Sequence, residues 1–279
     1  MFRSPVDAVI AASLSLLLEV SGNPKAGNVD REHDLEDLRY EHFLASSVGA
    51  FPAFLMVAEK GEIGEGVLLA VKESMRWHKA ENVHFGAFLL LTPLIASWRE
   101  AEMKRTAEKA VEMLRNTGYE DSLKVLEAFK MCGARVVRAE KLNLQSEKTE
   151  KEIRERKINL YEWMKMAPEE NLIAKELVEG YKISLYGADF ILKSEMDANT
   201  TITALYHDLL SKYPDPLIMA KKGRDYALKV VEWAKRANGN LEKLRELDER
   251  LIMDKANPGT IADLTASSIY LAISGGWRV

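Results

Sequence analysis

Apolar residues recur at intervals of three and four along nearly the whole chain, which is the periodicity of amphipathic helices. Convincing runs of β-branched residues bounded by turns, the signature of strands, are absent. Two stretches, 9–20 and 85–98, are almost continuously apolar, and each is shorter than the ~20 residues that a membrane-spanning helix needs. The pattern predicts an all-α fold in a single domain over 1–279, with both stretches as buried core helices.

Turn-forming residues and one charged run predict where the helices break. A pair of helices should flank the break at 49–52, which carries a glycine and a proline. Gly61, Gly64 and Gly66 predict a short flexible connection before the next helix. The segment 140–157 mixes charges of both signs at helical spacing, so it predicts a solvated helix that connects two parts of the domain.

Composition narrows the class of protein. Hydrophobic residues make up 47% and charged residues 29%, which excludes disorder for most of the length. The net charge of -4, without a long basic stripe, argues against a nucleic-acid partner. The single Cys132 cannot form an intrachain disulfide, so we expect a core-filling role for it and a cytoplasmic protein. We expect no membrane partner, and the oligomeric state stays open, with a homodimer as one alternative.

The loop at 19–31 concentrates turn formers and charges after the first apolar helix. Glu19 falls at the end of that helix, where the negative pole of the helix dipole disfavours a carboxylate, and this favours a functional reason for its position. Lys25 and Arg31 are expected to be exposed loop cations. Tight loops on rigid scaffolds often carry function, so we interpret the segment as an active-site loop. The alternative is an ordinary connection between helices.

The second candidate site is the start of the last helix, where Asn257 can cap and Pro258 can occupy the first helical position. Gly259 would leave backbone N–H groups uncovered beside Thr260, and such a helix end suits a phosphate. Asp263 lies on the same face by helical spacing, so one turn could hold an anion and direct a carboxylate to its metal. A well-capped structural helix is the alternative.

Histidines supply further candidates. Asn82 precedes an apolar helix as a polar cap, and His84 follows it at a place where it could face a polar cavity or serve as hydrogen-bonded scaffolding. His33-Asp34 and His207-Asp208 are pairs of the kind that ligate metals in helical phosphohydrolases, a short match that arises readily by chance.

Four motifs in order along the chain resemble those of the triphosphoribosyl-dephospho-coenzyme A synthases, an all-helical family of transferases, in their archaeal-type branch. The matching stretches are 16–20 with Pro24-Lys25, Gly27 and 29–31, then 82–88, then Pro214-Asp215 through Lys221, and finally 257–265. The resemblance implies transfer of the triphosphoribosyl group of ATP to the ribose 2'-hydroxyl of dephospho-coenzyme A, with release of adenine. Phe85, at a position where the bacterial enzymes carry lysine, and Pro216 depart from the pattern, so the acceptor stays open.

The resemblance also suggests roles for the candidate residues. Cleavage of a ribosyl–adenine bond develops positive charge at the anomeric carbon, and the site needs carboxylates, an activated hydroxyl and a neutralised triphosphate. The candidate catalytic residues are Glu19, as the base, with Asp30, His84 and Asp263. Asp30 and Asp263 are the candidate ligands of a magnesium ion that accompanies ATP, which requires the two ends of the chain to meet. The candidate substrate- and phosphate-binding residues are Lys25, Gly27, Arg31, Asn82, Asp215, Lys221, Asn257, Gly259 and Thr260. A metal-dependent nucleotide phosphohydrolase and a non-catalytic nucleotide-binding protein are the alternatives.

Overall fold

Helices account for all the regular secondary structure that the computed structural model describes, which covers residues 2–134, 148–237 and 239–279. This confirms the predicted all-α fold. The helices in chain order are α1 (Pro5–Ser21), α2 (Tyr40–Gly49), α3 (Phe51–Lys60), α4 (Ile63–Met75), α5 (Phe85–Ala96), α6 (Met103–Arg115), α7 (Tyr119–Cys132), α8 (Lys148–Arg156), α9 (Leu160–Lys165), α10 (Leu172–Glu179), α11 (Lys182–Lys193), α12 (Ala198–Leu210), α13 (Pro216–Lys222), α14 (Arg224–Ala237), α15 (Leu241–Met253) and α16 (Gly259–Ser274).

The core is built around α16, which is buried along almost its whole length and packs against α1, α5, α11 and α12. Helix α5 is nearly as apolar, and buried residues of α1 face both of these helices. Helices α1 and α5 contain the two apolar stretches that the sequence predicts as core helices, and the prediction is confirmed. Because helices of this kind are apolar on most sides, they are stable only when surrounded by others. Cys132 is buried at the end of α7, where burial raises its pKa to about 11, as expected of a core filler.

The glycines that follow α3 have two different roles. Gly61 ends α3 in the left-handed conformation, with φ 75°. Gly64 and Gly66 instead lie inside α4, so the predicted flexible connection is wrong for them. A Cβ atom on Gly64 would lie 2.5 Å from Cα of Asp121, and one on Gly66 would lie 2.1 Å from Cγ2 of Val57. Both glycines therefore allow helices to approach closely.

The break at 49–52 separates α2 from α3, as predicted. The combined stretch Tyr40–Lys60 is long and apolar enough to cross a membrane, with a mean hydropathy of 1.3, a feature that the sequence analysis missed. Half of that stretch is buried inside the fold, and its two helices pack on α1 and α4. Core helices of globular proteins pass the same test, so the stretch is weak evidence for a membrane span.

Helix α8 covers part of the predicted charged connector. Its surface carries ion pairs one helical turn apart, Arg154 with Glu150 at 3.0 Å and Arg156 with Glu152 at 2.5 Å, while Ile153 is buried. The prediction of a solvated helix is confirmed for 148–156, and residues 140–147 of the predicted connector lie outside the described residues. Exposed pairs of this kind contribute a few tenths of a kcal/mol each.

Candidate active site

A cavity of about 620 Å³ opens where the N-terminal ends of α5, α10 and α16 meet the end of α1. This confirms that helix N-termini converge on one pocket, as the sequence predicts. The predicted site residues that line it are Glu19, Asn82, His84, Lys221, Asn257, Gly259, Thr260 and Asp263. The other predicted residues, Lys25, Gly27, Asp30, Arg31 and Asp215, do not line it.

Glu19 and Lys25 form a buried ion pair beside the cavity. Lys25 Nζ donates to Oε1 of Glu19 at 2.5 Å and to Oδ1 of Asn28 at 3.2 Å, and it lies 5.7 Å from the ring centroid of Tyr206. Lys25 is fully buried, so the expectation of an exposed loop cation is wrong. The physical reason is Glu19 itself: a carboxylate buried at the C-terminal end of α1 needs a counter-charge, and the loop folds inward to supply one.

Asp30 organises the loop and does not line the cavity. Its Oδ2 accepts the amide of Lys25 at 3.1 Å, while Oδ1 accepts the amides of Glu32 at 2.9 Å and His33 at 3.0 Å. With both oxygens bound by backbone N–H groups, its carboxylate serves the fold of the loop. Asp263 lines the cavity and Asp30 does not, so the structure does not bring the two predicted metal ligands together there.

Gly27 and Arg31 also act outside the cavity. Gly27 has φ 74°, donates its N–H to Oδ1 of Asp248 at 2.8 Å, and would place a Cβ atom 2.6 Å from that of Leu251. Only glycine fits this positive φ and this close approach, so its place in the motif has a structural reason. Arg31 is exposed, as expected.

Asp263, near the start of α16, places its carboxylate against the N-terminal end of α5. The amide of Ala87 donates to its carboxylate, and a Cβ atom on Gly86 would lie 2.1 Å from its Oδ2, so only glycine at 86 allows this approach. Burial raises the pKa of Asp263 well above its ordinary value, and the charges of Glu19 and Asp215 raise it further. The cavity thus holds two acids, Glu19 and Asp263, that repel each other when both are ionised.

His84 lines the cavity, and one of its two ring nitrogens is bonded to the protein. Its Nδ1 lies 2.8 Å from Oγ of Ser46, while Nε2 is buried and has no hydrogen-bond partner among the described residues. Burial lowers its pKa to about 3, with smaller contributions from His78 and Lys25, so the ring is neutral near pH 7. Phe43 packs edge-on against the ring, with 5.1 Å between centroids. A buried polar atom without a partner calls for an explanation, and on a ring that lines a cavity a bound ligand is one.

Asp215 caps two helices at once. Its Oδ1 accepts the amides of Leu217 at 2.7 Å and Ile218 at 3.0 Å in the first turn of α13, and Oδ2 accepts the amide of Ile261 at 3.0 Å in α16. Burial raises the pKa of this carboxyl to about 6 despite these bonds. Asp215 thus covers the amide of Ile261 in the first turn of α16, which leaves fewer free amides there for the predicted phosphate.

Asn257 joins the two ends of the chain instead of capping α16. Its Oδ1 accepts a hydrogen bond from Nδ2 of Asn28 at 2.8 Å, and α16 begins at Gly259 with Pro258 as the preceding residue. The predicted cap at Asn257 is wrong because Asp215 already supplies the acceptor. The expectation that the first loop meets the last helix is confirmed.

The two histidine–aspartate pairs do not form metal sites. His207 is buried and its Nε2 accepts the amide of Ala26 at 3.2 Å, whereas Asp208 pairs with Lys212 at 2.8 Å. His207 and Asp208 are neighbours in α12 and point in different directions. In the loop before α2, His33 Nδ1 lies 3.2 Å from Oδ2 of Asp248, while Asp34 accepts the amide of Tyr40 at 2.9 Å. Across the described part of the chain, no three His, Cys, Asp or Glu side chains form a group suited to a metal. The phosphohydrolase alternative therefore lacks the ligands that suggested it.

Sequence reasoning missed one wall of the cavity and part of its rim. The wall is apolar and comes from α9, α10 and the turn between them, with Trp163, Met164, Met166 and Ile173. The rim carries three further charged residues, Asp37, Lys79 and Glu81. The apolar wall is separated by some 80 positions of sequence from His84, and no local motif marks it. The two asparagines that cap α9 and α10 are the available signal, since they predict two short helices with apolar faces there.

Comparison with known proteins adds to this geometry. The model of one protein family, described as ATP:dephospho-CoA triphosphoribosyl transferase, matches residues 6–278. A solved structure, described as a candidate triphosphoribosyl-dephospho-coA synthase from Archaeoglobus fulgidus, is 59% identical, with a TM-score of 0.75 over 84% of this chain and 100% of that chain. None of the curated proteins matches. Because the family model matches nearly the whole length of this chain, the chain belongs to the ATP:dephospho-CoA triphosphoribosyl transferase family.

Proposed function

We propose that this protein transfers the triphosphoribosyl group of ATP to the ribose 2'-hydroxyl of dephospho-coenzyme A and releases adenine. The observation that carries the proposal is the pair of carboxylates, buried Glu19 and half-buried Asp263, in the lining of a cavity that also holds His84. Membership of the family supplies the substrates, and the cavity supplies the chemical groups that such a transfer requires.

The reaction develops positive charge on the sugar. As the bond between the anomeric carbon and adenine breaks, its electrons leave with the adenine nitrogen, which takes up a proton. The acceptor oxygen forms the new bond to the same carbon and loses its proton. Carboxylates fixed in a partly dry cavity stabilise the developing cation more strongly than water does, and Glu19 and Asp263 are placed for that task. Glu19, the predicted base, and His84 both face the cavity and could accept the hydroxyl proton.

The triphosphate requires cations and hydrogen-bond donors. Lys79 and Lys221 line the cavity and are exposed, so they lie toward its rim, and Asn82 and Thr260 contribute polar groups to the lining. These residues replace Lys25 and Arg31 in the proposed phosphate site, because Lys25 is committed to Glu19 and Arg31 lies outside the cavity. Cations at the rim and carboxylates deeper inside would orient ATP with its phosphates outward and its sugar inward.

Magnesium fits the donors that the cavity offers. Carboxylate oxygens are ligands that this hard cation prefers, and one or two of them together with phosphate oxygens are sufficient. Asp263, with Glu19 beside it, is the group that would hold the ion, in place of the pair with Asp30. When bound with ATP, magnesium would neutralise phosphate charge. The cation would also favour the ionised form of Asp263, against the rise in its pKa that burial causes.

The apolar wall suits the uncharged parts of the substrates. Trp163, Met164, Met166 and Ile173 offer a surface on which a flat adenine ring or a pantetheine arm can pack. The volume of about 620 Å³ falls within the usual range for cofactor-sized ligands. An enzyme that draws on ATP and a coenzyme A precursor would work in the cytoplasm, which agrees with the lone buried cysteine.

The test is an incubation with ATP, magnesium and dephospho-coenzyme A, read by mass spectrometry. Transfer predicts free adenine together with an acceptor whose mass increases by one triphosphoribosyl group. Phosphate or pyrophosphate without adenine would indicate a phosphohydrolase instead. Binding of ATP with no new product under any of a panel of ribosyl acceptors would indicate a nucleotide-binding protein and would overturn the proposal.

A further inference from the structure

A chain of hydrogen bonds leads from the cavity through two buried serines to a second histidine. His84 Nδ1 lies 2.8 Å from Oγ of Ser46, which lies 2.7 Å from Oγ of Ser74. Ser74 Oγ in turn lies 2.9 Å from Nε2 of His78. Both serines are buried, whereas His78 is partly exposed. The chain thus joins a buried ring at the cavity to a ring nearer the surface.

The chemistry of hydroxyl groups allows this chain only two consistent directions. Each serine has one proton to donate, so both serines must donate toward the same end. If they donate toward His78, then His84 donates from Nδ1 and its Nε2 carries a lone pair. If they donate toward His84, then His78 donates from Nε2 and the Nε2 of His84 carries the proton. Whether Nε2 of His84 carries a proton therefore depends on the state of His78.

We propose that Ser46, Ser74 and His78 form a proton relay that sets, and during the reaction changes, the protonation state of His84 Nε2 at the cavity. The proposal deepens the proposed transferase function and rests on it for the identity of the substrate hydroxyl. Two independent observations support it. One is the unbroken chain of hydrogen bonds, and the other is Nε2 of His84, a buried atom without a partner among the described residues, on a ring that lines the cavity.

In the reaction, the acceptor hydroxyl gives its proton to Nε2 of His84 as its oxygen bonds to the anomeric carbon. The Nδ1 proton of His84 moves to Ser46, and the proton of Ser46 moves to Ser74. The proton of Ser74 moves to Nε2 of His78, which becomes an imidazolium. Adenine leaves with the electron pair of the broken bond and takes a proton from water, and His78 later returns its proton to water. Each relay residue gains one proton and loses one.

The relay solves an electrostatic problem for His84. A charged imidazolium at a fully buried site is costly, and its pKa of about 3 makes the ring a poor base by itself. With the relay, the ring exchanges one proton for another and stays neutral, while the charge appears on the more exposed His78. His42 on α2 faces His78 and acts on its charge. Lys25, paired with Glu19, and His78 itself act on His84, and Asp263 lines the same cavity as His84.

The test uses nitrogen NMR of the intact protein labelled with ¹⁵N histidine, in buffers from about pH 8 to about pH 5. An imidazolium must donate from both nitrogens, so protonation of His78 forces the serines to donate toward His84. Its neutral ring should then change from the tautomer protonated at Nδ1 to the one protonated at Nε2, at the midpoint at which His78 titrates. Burial lowers the pKa of His78 from its ordinary value, so that midpoint should lie below about 6.5.

Two variants and a matched control decide the result. Ser74→Ala should cut the relay and leave the tautomer of His84 independent of pH. Ser47→Ala removes the neighbouring buried serine of α2, whose hydroxyl donates to the carbonyl of Ser13 at 2.8 Å, and it should keep the switch. His78→Gln also removes the titrating group and serves if Ser74→Ala fails to fold. A constant His84 tautomer while His78 titrates, or a switch that persists in Ser74→Ala, would overturn the relay. Neither outcome depends on adenine release, so the transferase proposal stands or falls separately.

Discussion

Lys25 shows how a charge that belongs to a functional motif can be needed by the fold. Its ammonium group is fully buried and lies 2.5 Å from Oε1 of Glu19, which is itself almost completely buried. An uncompensated buried carboxylate is strongly unfavourable, so the pair is retained or lost as a unit. At the residue level, Lys25 is therefore a positioning residue for Glu19.

This predicts that Lys25→Met destabilises the protein by about 3 kcal/mol or more, because removal of one partner leaves the other buried and unpaired. Arg31→Met, at the exposed cation of the same loop, should change stability by less than about 0.5 kcal/mol. The measurement is the free energy of unfolding in urea near pH 7. A double variant, Lys25→Met with Glu19→Gln, should recover much of the loss. Equal stability of Lys25→Met and Arg31→Met would show that the pair has no such role.

Asp263 predicts an unusual dependence of stability on pH. Its pKa is raised above the ordinary value of 3.8, so its contribution to stability is fully present below about 3.8 and is lost as the pH rises through the folded pKa. Asparagine cannot ionise, so Asp263→Asn should gain stability relative to the parent as the pH rises from about 4 to about 8. The upper limit is about 1.4 kcal/mol per pH unit.

The measurement is urea unfolding of the parent, Asp263→Asn and Asp37→Asn in magnesium-free buffer at several pH values. Asp37 is an exposed carboxylate of the same cavity, so its variant should follow the parent. A variant at 263 that loses stability relative to the parent as the pH rises would mean that the ionised carboxylate is stabilised in the fold.

At the level of the helices, two glycines allow close contacts of different kinds. Gly86 lets the carboxylate of Asp263 reach α5, while Gly64 lets α4 pack against the backbone of α7 at Asp121. A side-chain carboxylate can move aside at little cost, whereas a helix backbone cannot. Substitution by alanine should therefore have opposite consequences at the two positions.

We predict that Gly86→Ala lowers adenine release by roughly 100-fold, because a displacement of about 1 Å at a reacting group has effects of this size. Its stability should change by less than about 1 kcal/mol, since alanine also favours the helix. Gly64→Ala should instead cost about 1–3 kcal/mol from overpacking and keep the turnover of the folded protein. The unfolding free energy and the turnover are measured for both variants. Loss of turnover in both, or loss of stability in both, would contradict this prediction.

For the whole molecule, periodicity was sufficient to predict the helical fold. The meeting of the chain ends was predicted from the expected pairing of Asp30 with Asp263, and a different contact, between Asn28 and Asn257, makes it. The local motifs also located the cavity through Glu19, His84 and Asp263. They failed where partners are distant in sequence: Asp215 caps α16 from 46 positions away, and it takes the role that the sequence assigned to Asn257. The burial of Lys25 could not be predicted either, because nothing local in the loop indicates that its side chain turns inward.

The central claim is that triphosphoribosyl transfer takes place at two carboxylates of the cavity, Glu19 and Asp263. The most direct measurement is the rate of adenine release with saturating ATP, magnesium and dephospho-coenzyme A, for the parent, Asp263→Asn and Asp37→Asn. The loss of a charge that stabilises the transition state predicts a kcat lower by roughly 10²–10³ for Asp263→Asn, while Asp37→Asn should stay near the parent rate. Adenine release by Asp263→Asn at the parent rate would contradict the account.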